Sequence, residues 1–289
     1  CMRVAKEGGT IAMAPEGNRT FSGKTEYMNP AVARLAQKLK LPIAIFRIEG
    51  GYGVHPRWSD TLRKGKMRGY VSRVIEPEDY KELTGEELFL LIEQGLQVDE
   101  NKADGTYRSK KRGEYLERAV YVCPFCGLST FQSKGSRVTC LSCGRSVEYG
   151  EDKTLTGVDC RFPYEFVGQW YDAQEEFVNR LDVTKQIHTP YYTEQVELWD
   201  VQVNKKKTCL EKQVTIKLFG NRLEVGQRIL PFEEISTVTV LGRNKLNLYS
   251  GDRVYQVRGH KGFNALKYVH LYHRYQNIMK GEGKSFLGI

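Results

Sequence analysis

Two hydrophobic rhythms divide this chain, and the change falls near residue 190. Upstream, apolar residues recur mainly at helical spacing. Asn29 to Lys40 carries Val32, Leu35, Ala36 and Leu39 on one side, which predicts an amphipathic helix. Thr84 to Gln97 predicts a second, with Thr84 as N-cap and Glu87 three residues on. Phe166, Val167, Trp170, Phe177 and Leu181 form a third stripe within 163–183 and read as a packing face. Short apolar runs predict strands at Thr10–Ala14, Leu41–Phe46 and 71–75. Downstream the period becomes two. It predicts strands at Val196–Val203, Gln213–Phe219, Arg222–Val225, Ile235–Leu241, Lys245–Tyr249 and Val254–Val257, separated by glycine- and asparagine-bearing turns. A closing helix, Gly262 to Met279, carries Phe263, Leu266, Val269, Tyr272 and Tyr275; His270 and His273 read as its surface residues.

The first apolar run feeds Ala14-Pro15-Glu16-Gly17-Asn18-Arg19-Thr20. Pro15 ends the strand, and Gly17 permits a backbone angle that other residues avoid. Glu16 and Arg19 then project from a strand-to-loop corner, where open α/β sheets place ligand groups. A guanidinium suits a phosphate oxyanion there, because its planar fork donates two parallel hydrogen bonds. A plain turn with a surface salt bridge is the competing reading.

The block Pro15 to Ser22, the helix after it and the proline-bearing strand Leu41-Pro42-Ile43-Ala44-Ile45-Phe46 resemble the second half of the glycerophospholipid (lysophosphatidic-acid) acyltransferase family. Asn18 and Thr20 depart from the residues usual in that block. The resemblance implies that Glu16, Gly17 and Arg19 bind an acceptor phosphate, and that Pro42 shapes the adjacent strand. It implies an acyl thioester as donor, either acyl-coenzyme A or acyl carrier protein, and a lysophospholipid or other phosphate-bearing acceptor. The family's catalytic His-x4-Asp block precedes Pro-Glu-Gly, so the expectation is a catalytic histidine upstream of Cys1 and an inactive isolated chain. His55 and Asp60 also spell His-x4-Asp, but in reversed order relative to the corner; they read as a coincidental match.

Cys123-Pro124-Phe125-Cys126 and Cys140-Leu141-Ser142-Cys143 make two Cys-x2-Cys knuckles, each followed by glycine. Four thiolates suit a closed, tetrahedral structural Zn²⁺ site. Ala119–Val122 and Arg137–Thr139 read as the strands entering the knuckles. Cys1, Cys160 and Cys209 stand alone, so no disulfide framework runs through the chain, which argues for a reducing compartment.

The net charge of +9 is concentrated in residues 1–70, where thirteen Lys or Arg face five Asp or Glu. That surplus fits an anionic acceptor or an anionic membrane surface. The ribbon lacks a dense aromatic stacking surface, which speaks against nucleic acid. No apolar run approaches the roughly 20 residues that span a bilayer.

The expected fold class is therefore an α/β acyltransferase unit (1–98), a linker (99–118), a zinc ribbon (119–150), a helical connector (151–190), a mainly-β barrel with a C-terminal helix (191–280) and a tail. The strands and closing helix of the barrel resemble a pleckstrin-homology domain, where Lys205-Lys206-Lys207 and Arg243 are candidates to face lipid headgroups. The expected function is acyl transfer in phospholipid synthesis, peripheral to the cytoplasmic face of the membrane. The alternative is a zinc-ribbon binding protein for nucleic acid, lipid or protein on a degenerate acyltransferase scaffold.

Overall fold

The computed structural model describes residues 1–102, 104–202, 206–283 and 285–288. Its N-terminal unit contains α1 (Met2–Lys6), α2 (Ala31–Leu39), β1 (Ile43–Glu49), α3 (Gly51–Val54), β2 (Arg68–Ile75), α4 (Pro77–Tyr80) and α5 (Gly85–Leu96). The ribbon region follows with β3 (Val122–Cys123), β4 (Gly127–Leu128), β5 (Phe131–Lys134), β6 (Arg137–Cys140), β7 (Ser146–Tyr149) and β8 (Leu155–Val158), then α6 (Val167–Arg180). The last unit holds β9 (Tyr192–Asp200), β10 (Thr208–Leu218), β11 (Arg222–Val225), β12 (Arg228–Pro231), β13 (Ile235–Leu241), β14 (Lys245–Ser250), β15 (Arg253–Arg258) and α7 (Leu266–Met279).

In the N-terminal unit, α5 starts where its sequence signals it should. The Thr84 hydroxyl accepts the Glu87 amide at 3.2 Å, and the Glu87 carboxylate accepts the Thr84 amide at 2.8 Å. Leu88 and Ile92 then face Ala33 of α2 and Ile45 and Ile75 of the sheet, closing a small core with Tyr80. β1 and β2 pair antiparallel, Ile43 opposite Ile75 and Glu49 opposite Arg68. The helices cover one face of this sheet. Phe46, Ile48, Val71 and Val74 on the other face are exposed.

The N-terminal unit does not have the expected α/β acyltransferase architecture. A parallel sheet needs a crossover connection of a dozen or more residues that carries the chain back to the same end. The connection between β1 and β2 instead returns the chain as a hairpin-like antiparallel pair, and the molecule as a whole is mostly β. Thr10–Ala14 forms no strand: Thr10, Ala12, Met13 and Ala14 are exposed, and no neighbouring strand pairs with the run. Apolar composition alone does not make a strand when no ladder partner is present.

β9 to β15 form one curled half-barrel sheet in the order β12-β11-β10-β9-β15-β14-β13. β9 and β15 join the two meanders through antiparallel pairing of Leu198 with Val257. β12 was not expected from the period-two pattern. It lies at the sheet edge, where Pro231 removes no interior hydrogen bond. α7 packs on β13 and α6. His270, expected at the surface, is fully buried there. Val203 and Lys205 of the expected strand and lysine cluster lie outside the described residues.

One apolar core runs from Leu116 to Leu287 and takes in Phe21 and Trp58 of the N-terminal unit. Within the polar stretch expected as a linker, residues 104–118 pack against the rest of the molecule, burying Tyr107, Leu116 and Arg118. Among the described residues, no helix is long and apolar enough to cross a membrane.

Candidate functional site

The Pro-Glu-Gly corner is a compact turn closed by the Gly17 amide on the Ala14 carbonyl at 3.0 Å. Gly17 sits at φ +71°, the left-handed region that the sequence required. Glu16 accepts the Glu26 amide at 2.9 Å, and Glu26 in turn accepts the hydroxyls of Thr20 and Ser22 at 2.9 and 2.7 Å. Burial raises the Glu16 carboxyl above its usual range, and the Glu26 amide opposes the shift. Glu16 is thereby a structural brace, holding the corner to residue 26.

Arg19 turns the other way, toward the loop after α3. Its Nη1 donates to the His55 carbonyl at 3.0 Å and lies 3.1 Å from His55 Nδ1. On the far side of the ring, Arg243 Nη2 lies 2.9 Å from His55 Nε2. Arg243 comes from the β13–β14 turn of the half-barrel, so the site is built across two units. Its Nη1 also donates to Asp60 at 2.7 Å. Asp60 receives both terminal nitrogens of buried Arg118, at 2.8 and 3.1 Å. These hydrogen bonds, led by Arg118, hold the Asp60 carboxyl below its ordinary value.

The loop His55–Asp60 is part of the core rather than an open surface loop. Trp58 is fully buried, and Arg57 is 3% exposed. Arg57 donates to the carbonyls of Gly242, Val240 and Arg19 at 2.9, 3.2 and 3.2 Å, and it stacks on Phe21 at 4.3 Å. Burial lowers its pKa to about 10. This one side chain ties the β13–β14 turn to residue 19.

The structure therefore brings Arg19, His55 and Asp60 to one place, but not as a His–Asp pair. Asp60 engages arginines, and both ring nitrogens of His55 face guanidiniums. Burial, then Arg19 and Arg243, lower the His55 pKa. Pro42 stands apart: it precedes Ile43 at one end of β1, whereas α3 and His55 follow the other end, about 20 Å away at 3.3 Å per residue. Arg118 and Arg57 escaped the sequence reading because their partners lie far along the chain. Arg243 was legible as a basic turn residue, but its meeting with Arg19 was not.

The second cluster is the four cysteines. All four Sγ atoms lie within 4.8 Å of one another. Cys123 and Cys143 are 3.7 Å apart, and Cys126 and Cys140 are 3.6 Å apart. A tetrahedron with Zn–S bonds of about 2.3 Å has edges of about 3.8 Å, which these two separations match, so the donor set suits zinc. The Phe125 and Cys126 amides hydrogen-bond Cys123, and the Ser142 and Cys143 amides hydrogen-bond Cys140. Each knuckle closes on a left-handed glycine, Gly127 at φ +81° and Gly144 at φ +74°. Burial pushes the Cys140 thiol up, but the Ser129 hydroxyl and the Cys143 and Ser142 amides outweigh it and bring the pKa to about 7. Burial raises the Cys123 and Cys126 thiols instead, so a metal bound here would have to displace their protons.

No family model matches the chain, and no curated protein matches it. Among solved structures it is similar to the N-terminal PH domain of human ARAP2 protein, at 16% identity and a TM-score of 0.27. That alignment covers 33% of this chain and 86% of the domain.

Proposed function

We propose that this chain binds the phosphate-bearing acceptor in an acyl transfer from a thioester to a lysophospholipid-type hydroxyl. The observation that carries the reading is Arg19. Its exposed guanidinium stands on a braced corner and, among the described residues, forms no ion pair with a carboxylate. Partial burial at its base, then the like charge of neighbouring Arg243, lower its pKa. A phosphate monoester supplies a counter-charge and two acceptor oxygens.

In this reading His55 abstracts no proton. A general base needs a free lone pair aimed at the acceptor hydroxyl and a partner that holds the ring in the matching tautomer. The two nitrogens of His55 face arginine donors instead. The four-cysteine site is structural in this reading, since a closed tetrahedron leaves no position for substrate.

The test is titration with glycerol 3-phosphate, together with thioester-dependent acylation of lysophosphatidate by the gene product. Arg19→Ala is expected to weaken binding by tenfold or more and to lower acylation in parallel. Equal affinity and turnover in the variant would remove the corner from the reaction.

A further inference from the structure

We propose that Arg19 and Arg243 form a single phosphate clamp spanning the N-terminal unit and the half-barrel, and that His55 is the placeholder between them. The inference rests on the acceptor-phosphate reading of Arg19 and extends it to a residue of a different unit.

A guanidinium only donates hydrogen bonds. A neutral imidazole carries one donor and one acceptor nitrogen, and an imidazolium carries two donors. Yet Arg19 and Arg243 approach opposite nitrogens of the same ring, at 3.1 and 2.9 Å. No tautomer satisfies both contacts, so one arginine always faces a nitrogen that cannot accept. Asp60 does not relieve this. Among the described residues it is the carboxylate in contact with this arginine group, and it is already shared by Arg118 and Arg243. Arg57, the third cation nearby, spends its donors on carbonyls. Arg19 Nη1 has the His55 carbonyl as an acceptor, and the ring also hydrogen-bonds the Ser59 backbone. Yet four guanidiniums (Arg19, Arg57, Arg118 and Arg243) meet a single contacting carboxylate among the described residues, and one arginine–imidazole contact is always donor to donor.

A phosphate answers both needs. Two oxygens along one phosphate edge are spaced much as the two nitrogens of an imidazole, so the same guanidiniums can close on either. Unlike the ring, each oxygen accepts. Hydrogen bonds already tie the frame across the two units. Arg57 pins the β13–β14 turn to residue 19, and Asn244 Nδ2 donates to the Lys261 carbonyl at 3.1 Å. A phosphate bound here bridges the two units, so it also fastens the half-barrel to the corner.

The experiment measures inorganic phosphate binding to the full chain by calorimetry and by thermal shift, with chloride at matched ionic strength as control. Arg243→Gln is expected to weaken binding at least tenfold and to abolish the phosphate-induced rise in melting temperature. His55→Ala is expected to bind phosphate as tightly as the parent or more tightly. Arg243→Lys restores part of the affinity, which separates a lost donor from a misfolded turn. Wild-type affinity in Arg243→Gln with loss in Arg19→Ala overturns the two-unit clamp and leaves the acceptor reading standing. Wild-type affinity in Arg19→Ala overturns both. Weaker binding in His55→Ala overturns the placeholder role. Repeating the series with phosphatidate vesicles and with glycerol 3-phosphate tells a lipid headgroup from a soluble ester, and Arg243→Gln must weaken whichever binds.

Discussion

His270 shows what one buried side chain does to the whole titration. Its Nδ1 lies 2.7 Å from the Tyr121 hydroxyl and its Nε2 3.4 Å from the Tyr171 hydroxyl, with no accessible surface. Burial, and then the charge of His273, lower its pKa from 6.5 to about 3. A depressed histidine pKa means that the unfolded chain binds the proton first. Stability is fully present above pH 6.5 and is lost as the pH falls from there toward 3. The slope in that window is about 1.4 kcal/mol per pH unit for this one group. Replacing His270 with Asn, which keeps a polar atom for Tyr121 but does not titrate, is expected to flatten the apparent unfolding free energy between pH 6 and 4 relative to the parent. An unchanged slope would assign the acid sensitivity to other groups, His273 and His55 first. Helical spacing placed His270 on the surface because periodicity along α7 cannot see α6 arriving from the other side.

At the scale of elements, the local signals were legible and the pairings were not. Thr84 and Glu87 announced α5, and each Cys-x2-Cys knuckle announced itself, because all the atoms involved sit within a few residues. The strands at 71–75 and Leu41–Phe46 were also legible, as β2 and most of β1, but their antiparallel pairing depends on the path of the connection between them. Thr10–Ala14 failed for the same reason: its fate turned on a partner, not on its own residues. The ribbon yields the sharpest element-level prediction. Cys123 and Cys140 belong to the same core as Phe131, Val138, Val147 and Trp170, so metal bound there braces more than its own loops. Purified protein is expected to hold a single zinc ion per chain, released by a thiol-reactive mercurial and counted with a colorimetric chelator. The zinc-free protein and Cys140→Ser are both expected to melt at lower temperature. Metal-free protein with an unchanged melting curve would make the cluster a bystander.

The whole molecule divides along its cores rather than along its sequence. Phe21 and Trp58 belong to the large core with the ribbon and half-barrel, although they precede it by tens of residues. Arg57 reaches carbonyls of the β13–β14 turn, and Arg118 reaches Asp60, both across long stretches of chain. No window of sequence contains such contacts, so neither this division nor the Arg19–Arg243 meeting was visible beforehand. The smaller core is Ala33, Ile45, Ile75, Tyr80, Leu88 and Ile92. It closes a sheet of two strands, one face of which leaves Phe46 and Val71 half exposed, at 54% and 52%. Two strands with one covered face are close to the least that holds together in water. The interior strands of the half-barrel have ladders on both sides, and β14 and β15 share the large core with α7. Local opening follows buried apolar contact and protected hydrogen bonds. Native-state hydrogen exchange is therefore expected to show amides of β1, β2 and α5 opening several kcal/mol below those of β14, β15 and α7. Phosphate at the clamp should narrow that gap little, because Arg19, Arg57 and the loop His55–Asp60 already belong with the large core. Equal protection in β1 and β15 would mean that the two cores unfold as one, and the division drawn from packing would be wrong.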